Sequence, residues 1–143
     1  MSIYTKLVRP LLFTLPPERI QKLADMALGI NPVGRAFRPF FHLEDERLHT
    51  NIGGTIIHNP VGLAAGYDKD YRLLDSLSNL GFGYIVAGTV VSEPRYGNLK
   101  PRIVRNTSEN SLVNSLGFPS KGLIAAAARL KNSARLKVPV IAS

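Results

Sequence analysis

The residues with most chemical content follow a short apolar run. Val61 to Ala65 reads as a strand, and Gly66-Tyr67-Asp68-Lys69 follows it at once. Ala64, Ala65 and Gly66 carry almost no side-chain bulk, so a large flat molecule fits against the backbone there. Lys69 adds a cation at the carboxyl end of the strand, where α/β proteins hold their ligands. The same string also suits an ordinary strand-to-turn junction, so its surroundings decide. Three further clusters follow strand-like segments. They are Gly88-Thr89, then Asn98, Arg102, Arg105 and Asn114-Ser115-Leu116-Gly117-Phe118 in a long loop, and finally Ser143. Lysine, threonine and asparagine supply a cation, a hydroxyl and an amide, a set that suits a carbonyl-rich, anionic ligand. Each alone also serves as a turn or cap residue; their joint position on one face is what favours a site.

The elements that would position them change period near residue 44. Before it, Tyr4, Leu7, Val8, Leu11, Leu12 and Leu15 form one apolar stripe, bent at Pro10. Ile20, Leu23, Ala24, Ala27 and Leu28 form a second at helical spacing, started by Pro17 and stopped by Gly29. Val33, Phe37, Phe40 and Phe41 suggest a short third helix. Such helices serve as a cap on a core, a partner surface or an anchor at a membrane interface. After the charged linker Glu44 to Arg47, Leu48 to Ile52 and Thr55 to Ile57 flank Gly53-Gly54 as a β-hairpin. Strands are then expected at Val61 to Ala65, Tyr84 to Ala87 and Val138 to Ser143. Helices are expected around Tyr71 to Asn79 and from Ser120 to about Lys131, with a long loop from Ala87 to Pro119. Alternating strands and helices predict a parallel sheet with right-handed crossovers. A (β/α)₈ barrel needs ~250 residues, so the fold class expected is α/β, the N-terminal part of a TIM barrel preceded by a helical segment and a hairpin. Residues 1–43 and 44–143 form its two units.

Composition narrows the chemistry further. The 143 residues contain no cysteine, which excludes disulfides, thiolate metal sites and a thiol nucleophile. His42, His49 and His58 lack the helical spacing of a ligand pair, and no metal is expected. The formal net charge of +8 is dispersed. No run of consecutive Lys or Arg and no aromatic-interleaved pattern points to nucleic acid. A basic, apolar N-terminal segment suits an anionic membrane surface as well as a solvated one. No stretch approaches the ~18 apolar residues of a span, and prolines and charges interrupt any signal-peptide core.

Taken in order, Asn59 to Lys69, Gly81-Phe82-Gly83, Gly88-Thr89-Val90, the Gly97-Asn98 to Pro101-Arg102 loop and Asn114 to Phe118 resemble the dihydroorotate dehydrogenases. The resemblance covers about residues 48–143, and the helical prefix resembles that of the membrane-associated, quinone-dependent class. It implies FMN at the strand ends and oxidation of dihydroorotate to orotate with a quinone acceptor, in pyrimidine biosynthesis. It assigns Ala65, Gly66, Tyr67, Asp68, Lys69 and Thr89 to the flavin. Lys69 would also face the substrate carboxylate, and Asn114, Ser115, Leu116, Gly117 and Phe118 would hold the pyrimidine. Arg105 would line a quinone tunnel beneath the N-terminal helices. The chain departs from the family pattern at Gln21, where a histidine is usual, at Ser115 for an arginine and at Pro119 for an asparagine.

The family's catalytic base and flavin phosphate site are expected beyond Ser143, so no base is named here, and the 143 residues alone are expected to be inactive. Peripheral association with the cytoplasmic face of the cell membrane follows from the resemblance, or with the inner mitochondrial membrane in a eukaryote. Two other readings stand beside it: a different FMN barrel oxidoreductase of the dihydrouridine synthase type, and a non-catalytic module that binds a membrane surface or a partner.

Overall fold

The computed structural model describes residues 3–133 and 136–143, without the side chain of Asn31. A π-helical turn over Tyr4–Val8 runs into α1 (Arg9–Phe13), followed by α2 (Pro17–Leu28) and α3 (Asn31–Phe41). Pro17 occupies the first turn of α2, where its missing N–H costs nothing, and the Gly29 amide closes the helix on the Asp25 carbonyl at 2.9 Å. These helices are fastened to the rest of the chain. Gly34 of α3 is buried against Ser76, so closely that a Cβ there would stand 2.6 Å from the Ser76 Cα. The Ser76 hydroxyl in turn donates to the Leu28 carbonyl.

A 3₁₀ turn (Glu46–Leu48) leads into the antiparallel hairpin of β1 (Thr50–Ile52) and β2 (Thr55–Ile57). Gly53 and Gly54 both have positive φ, the backbone that a tight two-residue hairpin turn requires. Next come β3 (Gly62–Leu63), α4 (Leu74–Leu77) and β4 (Tyr84–Ala87). The segment 88–122 is not the unbroken loop expected. It contains a second antiparallel hairpin, β5 (Ile103–Asn106) and β6 (Ser111–Asn114). The chain continues through α5 (Leu123–Asn132) to β7 (Val140–Ala142).

Strands β3, β4 and β7 form a parallel sheet in that order, with Gly62 opposite Tyr84 and Ile85 opposite Val140. The expected first strand contracts to two residues, and the helix expected from Tyr71 to Asn79 contracts to one turn. Tyr71 takes φ +59°, a left-handed conformation that a helix cannot continue through. The core lies between the sheet and its helices: Leu73, Leu74 and Leu77 meet Ile85 and Ala87 on one side, with Ala126 of α5. Burying a leucine side chain of this kind stabilises by ~1.5–3 kcal/mol. This core holds the carboxyl ends of β3, β4 and β7 at one edge.

Candidate functional site

Backbone bonds knit those three strand ends together. The Gly66 amide donates to the Gly88 carbonyl at 2.8 Å, and the Gly88 amide donates to the Asp68 carbonyl at 3.1 Å. Ser143 donates its amide to Ala87 and accepts from the Val90 amide, both at 2.9 Å. The Thr89 and Ser143 hydroxyls lie 3.3 Å apart, and the Gly88–Thr89 peptide is cis. Gly88 is buried at φ +130°, where a Cβ would stand 2.3 Å from the Ser143 carbonyl oxygen. Gly66 is the opposite case: its φ is +107°, yet a Cβ there would meet no atom within 4 Å. Ala64 and Ala65 beside it are exposed.

The turn after β3 divides its side chains between structure and cleft. Asp68 is buried, and its two carboxylate oxygens accept the Arg72 and Leu73 amides at 2.8 Å each, just ahead of α4. Asp70 receives the Lys121 amide at 2.7 Å and so ties the turn to the entrance of α5. Lys69 is half-buried and its ammonium donates to the Gly66 carbonyl. Burial pulls its pKa below the ordinary lysine value, helped by the Arg102 guanidinium, while Asp25 and Asp70 oppose the shift.

Tyr67, Asp68, Lys69 and Leu116 border one cleft of about 450 Å³, whose other wall is α2 with Glu18 and Asp25. Arg102 spans this cleft: its Nε donates to Glu18 at 3.3 Å and its Nη1 to the Tyr96 carbonyl at 2.9 Å. Asp25 and Tyr67 meet across it and shift each other's titration, a pairing that no sequence periodicity records because 42 positions separate the two. Burial, then the Asp25 charge, pushes the Tyr67 phenol up to about 12. Burial likewise raises the Asp25 carboxyl above its ordinary value, and its Oδ1 is enclosed with no hydrogen-bond partner.

The sign of the Asp25 effect is testable. A carboxyl with a raised folded-state pKa costs nothing below the unfolded value of 3.8, and it lowers stability as pH rises through the interval above that value. Asp25→Asn keeps the shape of the side chain and removes the charge. It is expected to raise the melting temperature at about pH 7 and to give no gain near pH 3. Thermal unfolding of both proteins across that range is the check; a lower melting temperature at neutral pH would make the Asp25 charge stabilising.

The remaining site residues of the sequence reading lie on or beside the β5–β6 hairpin. Asn114 ends β6 opposite Ile103, and Ser115 donates its amide to the Arg102 carbonyl at 2.9 Å. Asn98 braces the segment, donating its side-chain amide to Ser115 and its backbone amide to Leu116. Gly117 and Phe118 both take positive φ, and the Phe118 ring is exposed. Arg105 lies elsewhere, in a smaller hollow of about 160 Å³ with Arg9 and Phe13. Its guanidinium stacks 4.3 Å from the Phe13 ring and donates to the Leu15 carbonyl at 2.8 Å, binding β5 to the first helices.

Comparison with known proteins places this geometry. The family model for dihydroorotate dehydrogenase matches residues 47–143. The quinone-dependent dihydroorotate dehydrogenase of Acidithiobacillus ferrooxidans is 45% identical over 138 residues, covering 94% of this chain and 38% of that protein. Its counterpart in Halobacterium salinarum (strain ATCC 29341) is 39% identical, covering 94% of this chain and 39% of the relative. Among solved structures, the Eimeria tenella dihydroorotate dehydrogenase in complex with ferulenol superposes with a TM-score of 0.71 at 29% identity, over 88% of this chain and 35% of that one. The chain thus spans little more than a third of the length of these relatives. From the fold, the strand-end cluster and the match over 47–143, the chain belongs to the dihydroorotate dehydrogenase family.

Proposed function

We propose that this chain is the N-terminal part of a quinone-dependent dihydroorotate dehydrogenase, in which residues 44–143 begin a (β/α)₈ barrel and residues 1–43 give access to membrane and quinone. The observation that carries the reading is Lys69, a half-buried cation at three knitted strand ends beside a strip without side-chain bulk. The residues present fit FMN. Ala64 to Gly66 leave room for a flat ring, Thr89 offers a hydroxyl, and Lys69 brings positive charge, which stabilises a reduced flavin near its pyrimidine edge.

FMN, when bound, supplies the acceptor for the hydride leaving C6 of dihydroorotate and passes electrons to a quinone. The work of this chain is to bind and orient. Lys69 offers a charge-assisted hydrogen bond to the substrate carboxylate. Asn114 presents both a donor and an acceptor to the polar edge of the pyrimidine, and Asn98 braces the following loop through Ser115 and Leu116. Arg105, held by Phe13 and Leu15, stands at the boundary between the helices and the barrel.

Peripheral attachment to a membrane is supported by the outer helices. Ile3, Leu7 and Leu11 are 78%, 69% and 70% exposed, an apolar row facing away from the core. Among the described residues no helix is long and apolar enough to cross a membrane.

Graded truncation of the complete enzyme tests the reading. Removing residues 1–15 is expected to leave reduction of bound FMN by dihydroorotate near wild type while depressing turnover with quinone. Removing residues 1–41 also strips Leu28 and Gly34 from Ser76, so it should lower the melting temperature as well. Equal loss of both half-reactions in the shorter truncation would make the first helices a structural cap and remove the support for Arg105 at a quinone site.

A further inference from the structure

On the opposite side of the molecule, the β1–β2 hairpin brings together two histidines that no helical spacing connects. Thr50 pairs with Ile57, and the next rung outward in the same register is His49 opposite His58. The His58 Nδ1 and His49 Nε2 lie 3.2 Å apart, with the rings edge to face at 79°. Both side chains are exposed and border a hollow of about 530 Å³ by the amino end of β4, away from Lys69.

A tetrahedral zinc ion with Zn–N bonds of ~2.0–2.1 Å holds two ligating nitrogens ~3.3 Å apart. The observed separation matches it, and each ring need only turn until its facing nitrogen points at the shared ion. Charges of both signs surround the pair. Glu44 is paired with His42 at 2.7 Å and Asp45 with Arg47 at 2.5 Å. Arg38 and Lys137 border the same hollow and oppose them.

We propose that His49 and His58 form a two-point chelate for a borderline transition-metal dication such as Zn²⁺, Ni²⁺ or Cu²⁺. Among the described residues no group of three or more His, Asp or Glu side chains converges on one point, so water or a small exogenous ligand completes the coordination. In the metal-free pair one ring donates a proton to the other. Binding needs both facing nitrogens as lone-pair donors, so the shared proton leaves that nitrogen and the same ring takes one up from water on its far nitrogen. The bound ion would bridge the open end of the hairpin and stabilise the folded chain by linkage.

Titration with Zn²⁺, Ni²⁺, Cu²⁺ and Mn²⁺, each alone and in a buffer that does not chelate, tests this by calorimetry. One saturable site per chain is expected, with Cu²⁺ tighter than Ni²⁺ and Mn²⁺ weakest. His49→Ala and His58→Ala should each weaken binding by at least about tenfold, because either leaves a single ligand. His42→Ala should leave it within about threefold. The exposed positions of both histidines make loss of fold a poor explanation, and circular dichroism of each variant excludes it. Absence of a saturable site, or a site unchanged in the His49→Ala and His58→Ala proteins, would overturn the proposal. So would a loss on His42→Ala as large as that on His58→Ala.

Discussion

Replacing Lys69 by alanine in the complete enzyme is expected to cost roughly 10- to 200-fold in kcat/KM for dihydroorotate. Hydrogen bonds to charged groups are worth ~1.5–3 kcal/mol, and ~1.4 kcal/mol corresponds to a decade. The loss should appear both as a higher KM, from the missing partner of the substrate carboxylate, and as slower flavin reduction. Lys69→Arg should recover only part of it. A planar guanidinium does not fit where a compact ammonium is half-buried and donates to the Gly66 carbonyl, and the neighbouring Arg102 charge already weighs against a cation here. If Lys69 served only as a surface partner of Asp70, its removal would cost ~0–1 kcal/mol of stability and nothing in turnover. Steady-state kinetics and the absorbance of bound flavin in the alanine variant separate the two; wild-type values for both would end the assignment.

The second large effect is expected at Gly88, and it concerns folding. An alanine there places its Cβ 2.3 Å from the Ser143 carbonyl oxygen and must hold φ near +130°. Overpacking costs ~1–3 kcal/mol and a disfavoured backbone region a further ~1–3 kcal/mol. Together these are a large part of the ~5–15 kcal/mol that keeps a domain folded. Gly88→Ala should therefore reduce soluble yield and melting temperature sharply. Gly66→Ala is the control, since its φ of +107° brings backbone strain but its Cβ meets no atom within 4 Å. A Gly88→Ala protein as stable as Gly66→Ala would mean that the strand ends can part without cost.

Local signals were the legible ones. Helix α2 was readable because a first-turn proline, a helical apolar stripe and a terminal glycine agree, and β4 because Tyr84 to Ala87 is an apolar run between glycines. The β5–β6 hairpin was hidden for a physical reason. Its strands are largely exposed, so they lack a strict alternation of apolar and polar residues, and Pro94, Gly97 and Pro101 read as continuous loop. One cue was present: Asn106 accepts from Ser108 and Glu109, and Asn110 takes φ +48°, the polar turn chemistry that joins two strands. At the site, Lys69 and the bare strip before it stood out by residue type and position. The Asp25–Tyr67 pairing and the Arg102–Glu18 bridge did not, because both join the helices to the rest of the chain across long separations that no periodicity records.

The β5–β6 hairpin also bears on how the proposed enzyme would change over generations. Arg105 faces Leu112 across the ribbon, and one rung-pair away Ile103 faces Asn114. Under the proposed reading, the residue that meets the electron acceptor and the residue that reads the pyrimidine share one two-stranded girder. Under the same reading, a substitution that escapes an inhibitor lodged beside Arg105 is expected to shift the girder that presents Asn114. Resistance acquired there should be paid for in weaker use of dihydroorotate, so that the two specificities drift as a pair.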